Sequence, residues 1–152
     1  METKIIIGRK DKADLPELGL KNIAVKMDTG AYTSAIHCGS IEAKEIAGKK
    51  VLFFTLLDPS HLHYNNKEHS SENFVERKIK NSFGTSETRY VIKTWIKLFA
   101  EMHIIELSLS DRGEMKFPIL VGRRFLMGKF IVDSSKYDLS FKEARNNKNN
   151  KL

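Results

Sequence analysis

Short apolar–polar alternations, each cut off within about ten residues by Gly, Pro, Asn or Asp, restrict this chain more than any other feature. From residue 88 to 98, Tyr90, Ile92, Thr94, Ile96 and Leu98 share one face, and Arg89, Val91, Lys93, Trp95 and Lys97 share the other. Period two of this kind belongs to a strand with one buried side. Residues 5–7, 23–27, 33–38, 51–57, 74–80, 102–109, 117–121, 130–133 and 137–141 read as further strands. The turns between them fall at 48–50, 58–60, 81–84 and 110–113. Residues 9–19 read as a charged loop, 41–46 as a short helix or a loop, and 61–72 as a long polar loop or hairpin tip. One short helix is expected at 123–127, ended by Gly128. Many short strands with few helices predict a mostly-β barrel or sandwich. One domain would occupy residues 1–143, with 144–152 a disordered basic tail.

At 152 residues the chain suits a single domain with its own core. Hydrophobic residues at 41% and charged residues at 30% fit a globular protein rather than a disordered one. No apolar run approaches the length needed to span a bilayer. Residues 1–8 lack the pattern of a signal peptide. Cys38 is the one cysteine, so no internal disulfide can form, and a cytoplasmic location is the expectation. Lys and Arg number 26 against 19 Asp and Glu, a net charge of +7. Part of that charge sits in the tail, and no nucleic-acid motif accompanies it. It reads as solubility and steering toward an acidic protein, with neither nucleic acid nor membrane as the expected partner.

Chemistry concentrates at Val25-Lys26-Met27-Asp28-Thr29-Gly30-Ala31. The alternating strand places Asp28 opposite Met27 at its end, and Gly30 lets the backbone turn there. A carboxylate at a rigid strand end beside a small hydroxyl can do acid–base work, but that chemistry needs a second titrating group. The local alternative is a turn-capping aspartate, since Asp-Thr-Gly also makes a good turn.

Asp28-Thr29-Gly30-Ala31 resembles the first signature of retropepsin-like aspartic peptidases. Ile119-Leu120-Val121-Gly122-Arg123, followed by Phe125-Leu126, resembles their second, in which an apolar run reaches a glycine and then a short helix. Gly8-Arg9, Leu15-Pro16-Glu17-Leu18-Gly19, residues 26–37, Ser110-Asp111-Arg112 and residues 117–124 together are similar to one bacterial family. It is commonly labelled ATP-dependent zinc protease, is better described as retropepsin-like, and is often associated with ATP-grasp ligases that add glutamate to a ribosomal protein. The resemblance implies a small closed barrel that pairs into a symmetric homodimer, each subunit offering one Asp28. It further implies that Thr29 locks the paired loops and that Gly30 admits close approach. Ala31, Arg112, Gly122 and Arg123 would lie on the substrate side, with no cofactor. One departure matters. Where viral retropepsins carry an acid to pair with the arginine after the second glycine, this chain has Thr33. Asp111 and Asp133 are the candidate replacements as partner of Arg123. The polar segment 61–74 is the expected flap.

The residues also bear on the family's label. No His-Glu-x-x-His is present. His61 and His63 share a face, and His69 or His37-Cys38 could complete a zinc site, although histidines in a polar loop are more often solvated. No Walker-type glycine-rich loop is present, so ATP dependence is not expected of this chain alone. Cys38 reads as a small core residue rather than a nucleophile. The leading expectation is an aspartic endopeptidase. The alternatives are a non-enzymatic barrel that binds an acidic protein or RNA, and a zinc hydrolase built on the histidine-rich loop.

Overall fold

The computed structural model describes residues 3–80, 83–111 and 116–149, and in it the alternating segments pair into a closed six-strand barrel. After β1 (Ile5–Gly8), β2 (Lys10–Leu15) and β3 (Leu20–Met27) form a hairpin. A 3-10 turn, Pro16–Leu18, joins them and ends at Gly19 with φ 67°. β4 (Ser34–Ile46) and β5 (Lys49–Leu56) make a second hairpin. Its two turn residues, Ala47 and Gly48, have φ 51° and 80°, the left-handed pair that matches strand twist in a two-residue turn. β6 (Glu68–Ser71) and β7 (Val75–Lys80) follow, then the long hairpin β8 (Ser86–Leu98) and β9 (Glu101–Ser110). The chain ends with β10 (Ile119–Val121), α1 (Arg123–Leu126), β11 (Phe130–Asp133) and α2 (Leu139–Asn149).

Around the barrel the order is β10-β3-β2-β8-β9-β4, and β4 pairs back onto β10 to close it. Two neighbours are parallel: β3 with β10, Met27 beside Val121, and β4 with β9, Ser34 beside Leu107. Exchanging β2 with β8, β3 with β9 and β4 with β10 maps this ring onto itself, parallel pairs included. The barrel is therefore two similar halves, each a hairpin followed by a crossing strand. Asp28 leaves β3 at the place where Asp111 leaves β9. Inside, Ile23, Val25, Ile36, Ile96, Leu107, Ile119 and Val121 are fully or almost fully buried. β5 and β6 extend the sheet beyond β4, β7 pairs with β8, and β1 pairs in parallel with β11.

Three expectations change. Residues 10–15 are a strand, not a loop: Asp11, Ala13 and Leu15 face inward while Lys10, Lys12 and Asp14 alternate outward. Residues 41–46 are the outer half of β4. The C-terminal part is helical from Leu139, where a closing strand and then a disordered tail were expected, and the helix runs to Asn149; residues 150–152 lie outside the described residues. The cause is long-range. Asp11 is 1% exposed, and its carboxylate accepts the backbone N–H groups of Ser140 (2.9 Å) and Phe141 (3.1 Å) in the first turn of α2, as well as that of Lys12 (2.8 Å). Orphan N–H groups at a helix start are commonly capped by a nearby Ser, Thr, Asp or Asn; here the cap comes from a distant strand. Burial still pushes the Asp11 carboxyl above its ordinary value, against the pull of those N–H groups. Asp11→Ala should cost about 1–3 kcal/mol and strip hydrogen-exchange protection from the first turn of α2. Wild-type protection in that variant would contradict the capping role.

Candidate active site

β3 delivers Asp28 to one end of the barrel. The Met27 N–H bonds the Arg9 carbonyl at 2.9 Å, and the Asp28 N–H bonds the Val121 carbonyl at 2.8 Å, so the strand end is held from both sides. Residues 28–33 then cross the stretch that leaves β10. Gly122 is the contact point: a Cβ placed there would stand 2.6 Å from the Tyr32 carbonyl oxygen and 2.8 Å from the Thr33 carbonyl carbon. No side chain fits. The Gly122 N–H donates to Ser34 Oγ at 2.9 Å, the Arg123 N–H to the Ala31 carbonyl at 2.8 Å, and the Arg124 N–H to the Tyr32 carbonyl at 3.0 Å. Thus the two signatures found far apart in the sequence brace each other through backbone.

Within the loop, the Gly30 N–H donates to Asp28 Oδ1 at 3.1 Å, and the Ala31 N–H closes a turn onto the Asp28 carbonyl at 3.1 Å. Asp28 is half-buried, while Thr29 and Gly30 are exposed. A carboxylate held by a backbone N–H on one oxygen keeps its orientation and leaves the second oxygen for chemistry.

Arg123 does not take either expected acid. Its Nη1 donates to the Thr29 carbonyl at 2.9 Å, and its guanidinium lies 5.8 Å from the centre of the Tyr32 ring. Asp133 is engaged instead by the Ser135 N–H (3.0 Å) and hydroxyl (2.6 Å), with Lys136 at 3.9 Å. Asp111 forms no ion pair with Arg123. With Thr33 at the position where the resemblance implied an acid, the guanidinium meets a backbone carbonyl of the Asp28 loop. Arg112 lies outside the described residues.

The histidines do not assemble as the zinc alternative requires. His61 and His63 have ring centres 5.6 Å apart, and His61 Nδ1 accepts the His63 N–H. His69 stacks on Phe54 from β6 instead. Among the described residues, no group of three or more His, Cys, Asp or Glu is placed to hold a metal. Burial lowers the His61 and His69 imidazoles, helped by His63 and Lys67 respectively. Cys38 is buried, and its thiol is pushed up to about 12 by that burial, so it carries no nucleophilic thiolate at neutral pH. His37 is buried and pairs through Nε2 with Asp58 at 3.0 Å. Asp58 also accepts the Ser60 N–H at 2.9 Å and the Ser60 hydroxyl, and these partners, with His37, hold its carboxyl below the ordinary value. Sequence reasoning gave no role to Ser34 or Asp58. Asp58 makes a local turn with Ser60, but its contact to His37 and that of Ser34 to Gly122 join residues far apart in the sequence. The expected flap, 61–74, is a loop leading into β6, which pairs with β5.

A family described as "RimB-like: Retropepsin-like aspartic endopeptidase RimB" matches residues 6–143. The chain belongs to this family. A probable alpha-L-glutamate ligase of Desulfotalea psychrophila is 37% identical over 131 residues, covering 86% of the chain and 28% of the ligase. That of Parasynechococcus marenigrum is 33% identical over 88% of the chain and 28% of its own length. The chain thus spans under a third of these relatives. The crystal structure of a Legionella pneumophila protein of unknown function superposes with a TM-score of 0.67 at 26% identity, over 91% of this chain and 99% of that one. Among the described residues, no helix is long and apolar enough to cross a membrane.

The crossing predicts that Gly122→Ala loses about 1–3 kcal/mol in urea unfolding, because the methyl must displace the backbone of Tyr32 and Thr33. Unchanged stability would show that the crossing is loose. The lowered Asp58 carboxyl gives a pH signature: its stabilisation is present above the ordinary aspartate pKa and is lost as pH falls through its folded value. Asp58→Asn should flatten that acid-side loss in thermal melts; an identical acid profile would remove the His37–Asp58–Ser60 cluster as its source.

Proposed function

We propose that the chain is an aspartic endopeptidase that works as a homodimer, with one Asp28 from each subunit. The observation that carries this is the braced Asp28 loop, its carboxylate oriented by the Gly30 N–H, in a chain of the retropepsin-like endopeptidase family. Two carboxylates held close cannot both ionise, so they share one proton and titrate as a pair. The ionised member takes a proton from a water as that water attacks the peptide carbonyl. The protonated member polarises the carbonyl oxygen, and the proton passes to the leaving amine as the C–N bond breaks. Thr29 steadies the two loops across the two-fold axis, and Gly30 lets the substrate backbone approach. Ala31, Gly122 and Arg123 shape that approach; Arg112 is the further substrate-side candidate.

Pairing has support in an open apolar pair on the surface. Ile6 and Ile131 are register partners on the two-stranded β1–β11 sheet and are 47% and 54% exposed. Apolar neighbours left open in this way suit a second copy of the chain. The +7 charge and relatives named as glutamate ligases support an acidic substrate, such as a protein carrying added glutamates, met in the cytoplasm.

A second reading comes from the length comparison. Because the matched piece is under a third of each ligase, the barrel could serve there as an accessory domain that binds acidic chains without cleaving them. The two readings separate on one residue. Asp28→Asn should lower cleavage at least about 10³-fold with unfolding unchanged, and a chelator should leave the wild type active. Cleavage by Asp28→Asn, or loss with the chelator, would reject the mechanism. Salt-sensitive binding without cleavage, indifferent to Asp28→Asn, would favour the accessory domain.

A further inference from the structure

A pocket of about 210 Å³ lies between β8, β9 and α1, bordered by Thr33, Ser34, Lys93, Glu106, Arg124 and Lys129. Its charges do not balance. Glu106 Oε2 accepts Arg124 Nη1 at 2.9 Å and Arg77 Nη2 at 3.2 Å, and Lys93 Nζ lies 3.9 Å from Oε1. Lys129 sits with its ammonium 4.7 Å from the centre of the Phe125 ring, and among the described residues it forms no ion pair. Arg77, Lys93 and Arg124 therefore share a single carboxylate, and Lys129 adds a fourth positive charge beside it. One carboxylate cannot saturate two guanidinium forks and two ammonium groups, so donors remain and the local field stays positive.

We propose that this pocket is an oxyanion site that takes one carboxylate or phosphate group. A volume of about 210 Å³ is room for a single charged group. Arg124 and Lys129 supply charge-assisted donors, and Thr33 also lines the pocket. Ser34 Oγ accepts the Gly122 N–H, so its own O–H is left to donate. An occupant would touch the braces of the catalytic loop, since the Arg124 N–H holds the Tyr32 carbonyl and Ser34 holds Gly122. The occupant can come from two sources: an acidic side chain of a bound polypeptide, or a free inorganic anion.

The test is a titration of the full chain with inorganic phosphate at constant ionic strength, read by amide shifts and by thermal melting. Saturable shifts are expected at residues 33–34 and 124–129, with a rise in Tm of about 3 °C at ten times Kd. Lys129→Glu should weaken phosphate at least about five-fold, whereas Lys142→Glu, a charge change on α2, should leave it unchanged. Shifts no greater than chloride produces, or an equal loss in Lys142→Glu, would overturn the site. Displacement of phosphate by a glutamate-containing peptide but not its glutamine counterpart assigns the site to a polypeptide; phosphate binding without displacement assigns it to a free anion. Either result keeps the oxyanion site. None of these readouts needs turnover, so the site and the peptidase reading can fail separately.

Discussion

At Gly122 two stretches of backbone pass so close that only a hydrogen fits between them, and the rest of the site is arranged on that contact. It locks the Asp28 loop to β10 and α1 through four backbone N–H donors: those of Asp28, Gly122, Arg123 and Arg124. Carboxylate orientation, the reach of Arg123 to Thr29, and the position of Thr33 beside the cationic pocket all follow from it. A carboxylate useful in acid–base chemistry must hold its geometry while its charge changes, and a backbone brace is indifferent to that change.

The barrel explains why such a crossing exists. Parallel pairing of β3 with β10 sends two strand ends out side by side, so the chain after one must pass over the chain after the other. β4 and β9 are also parallel, with β9 ending at Ser110 beside His37 while β4 runs on to Ile46. Only the β3 side carries the Asp-Thr-Gly sequence. Asp111 follows β9 where Asp28 follows β3, but without the Thr-Gly that follows Asp28, and the proposed mechanism takes its second acid from another copy of the chain.

Much of this was legible in the sequence because its causes are local. Alternation at 88–98 marked β8, the run ending at Gly122 marked β10 and α1, and Asp28 at a strand end was readable from period two alone. What was not legible rests on distant partners. Asp11 looked like one more charge in a loop until Ser140 and Phe141 came to it, and the tail looked disordered because its cap lies in β2. An acid partner for Arg123 was implied by the resemblance to viral retropepsins; the Thr29 carbonyl that it meets instead carries no charge and leaves no trace in a motif. The zinc alternative rested on spacing along the chain; in the fold His69 stacks on Phe54 and His37 pairs with Asp58.

The central claim is that two chains share one reaction through Asp28. Co-refolding wild-type chain with Asp28→Asn chain in varied proportion tests it most directly, because each mixed pair would hold one acid. Peptidase activity per total chain should fall as the square of the wild-type fraction. Activity that falls in simple proportion would mean that each chain acts alone, and would contradict the account.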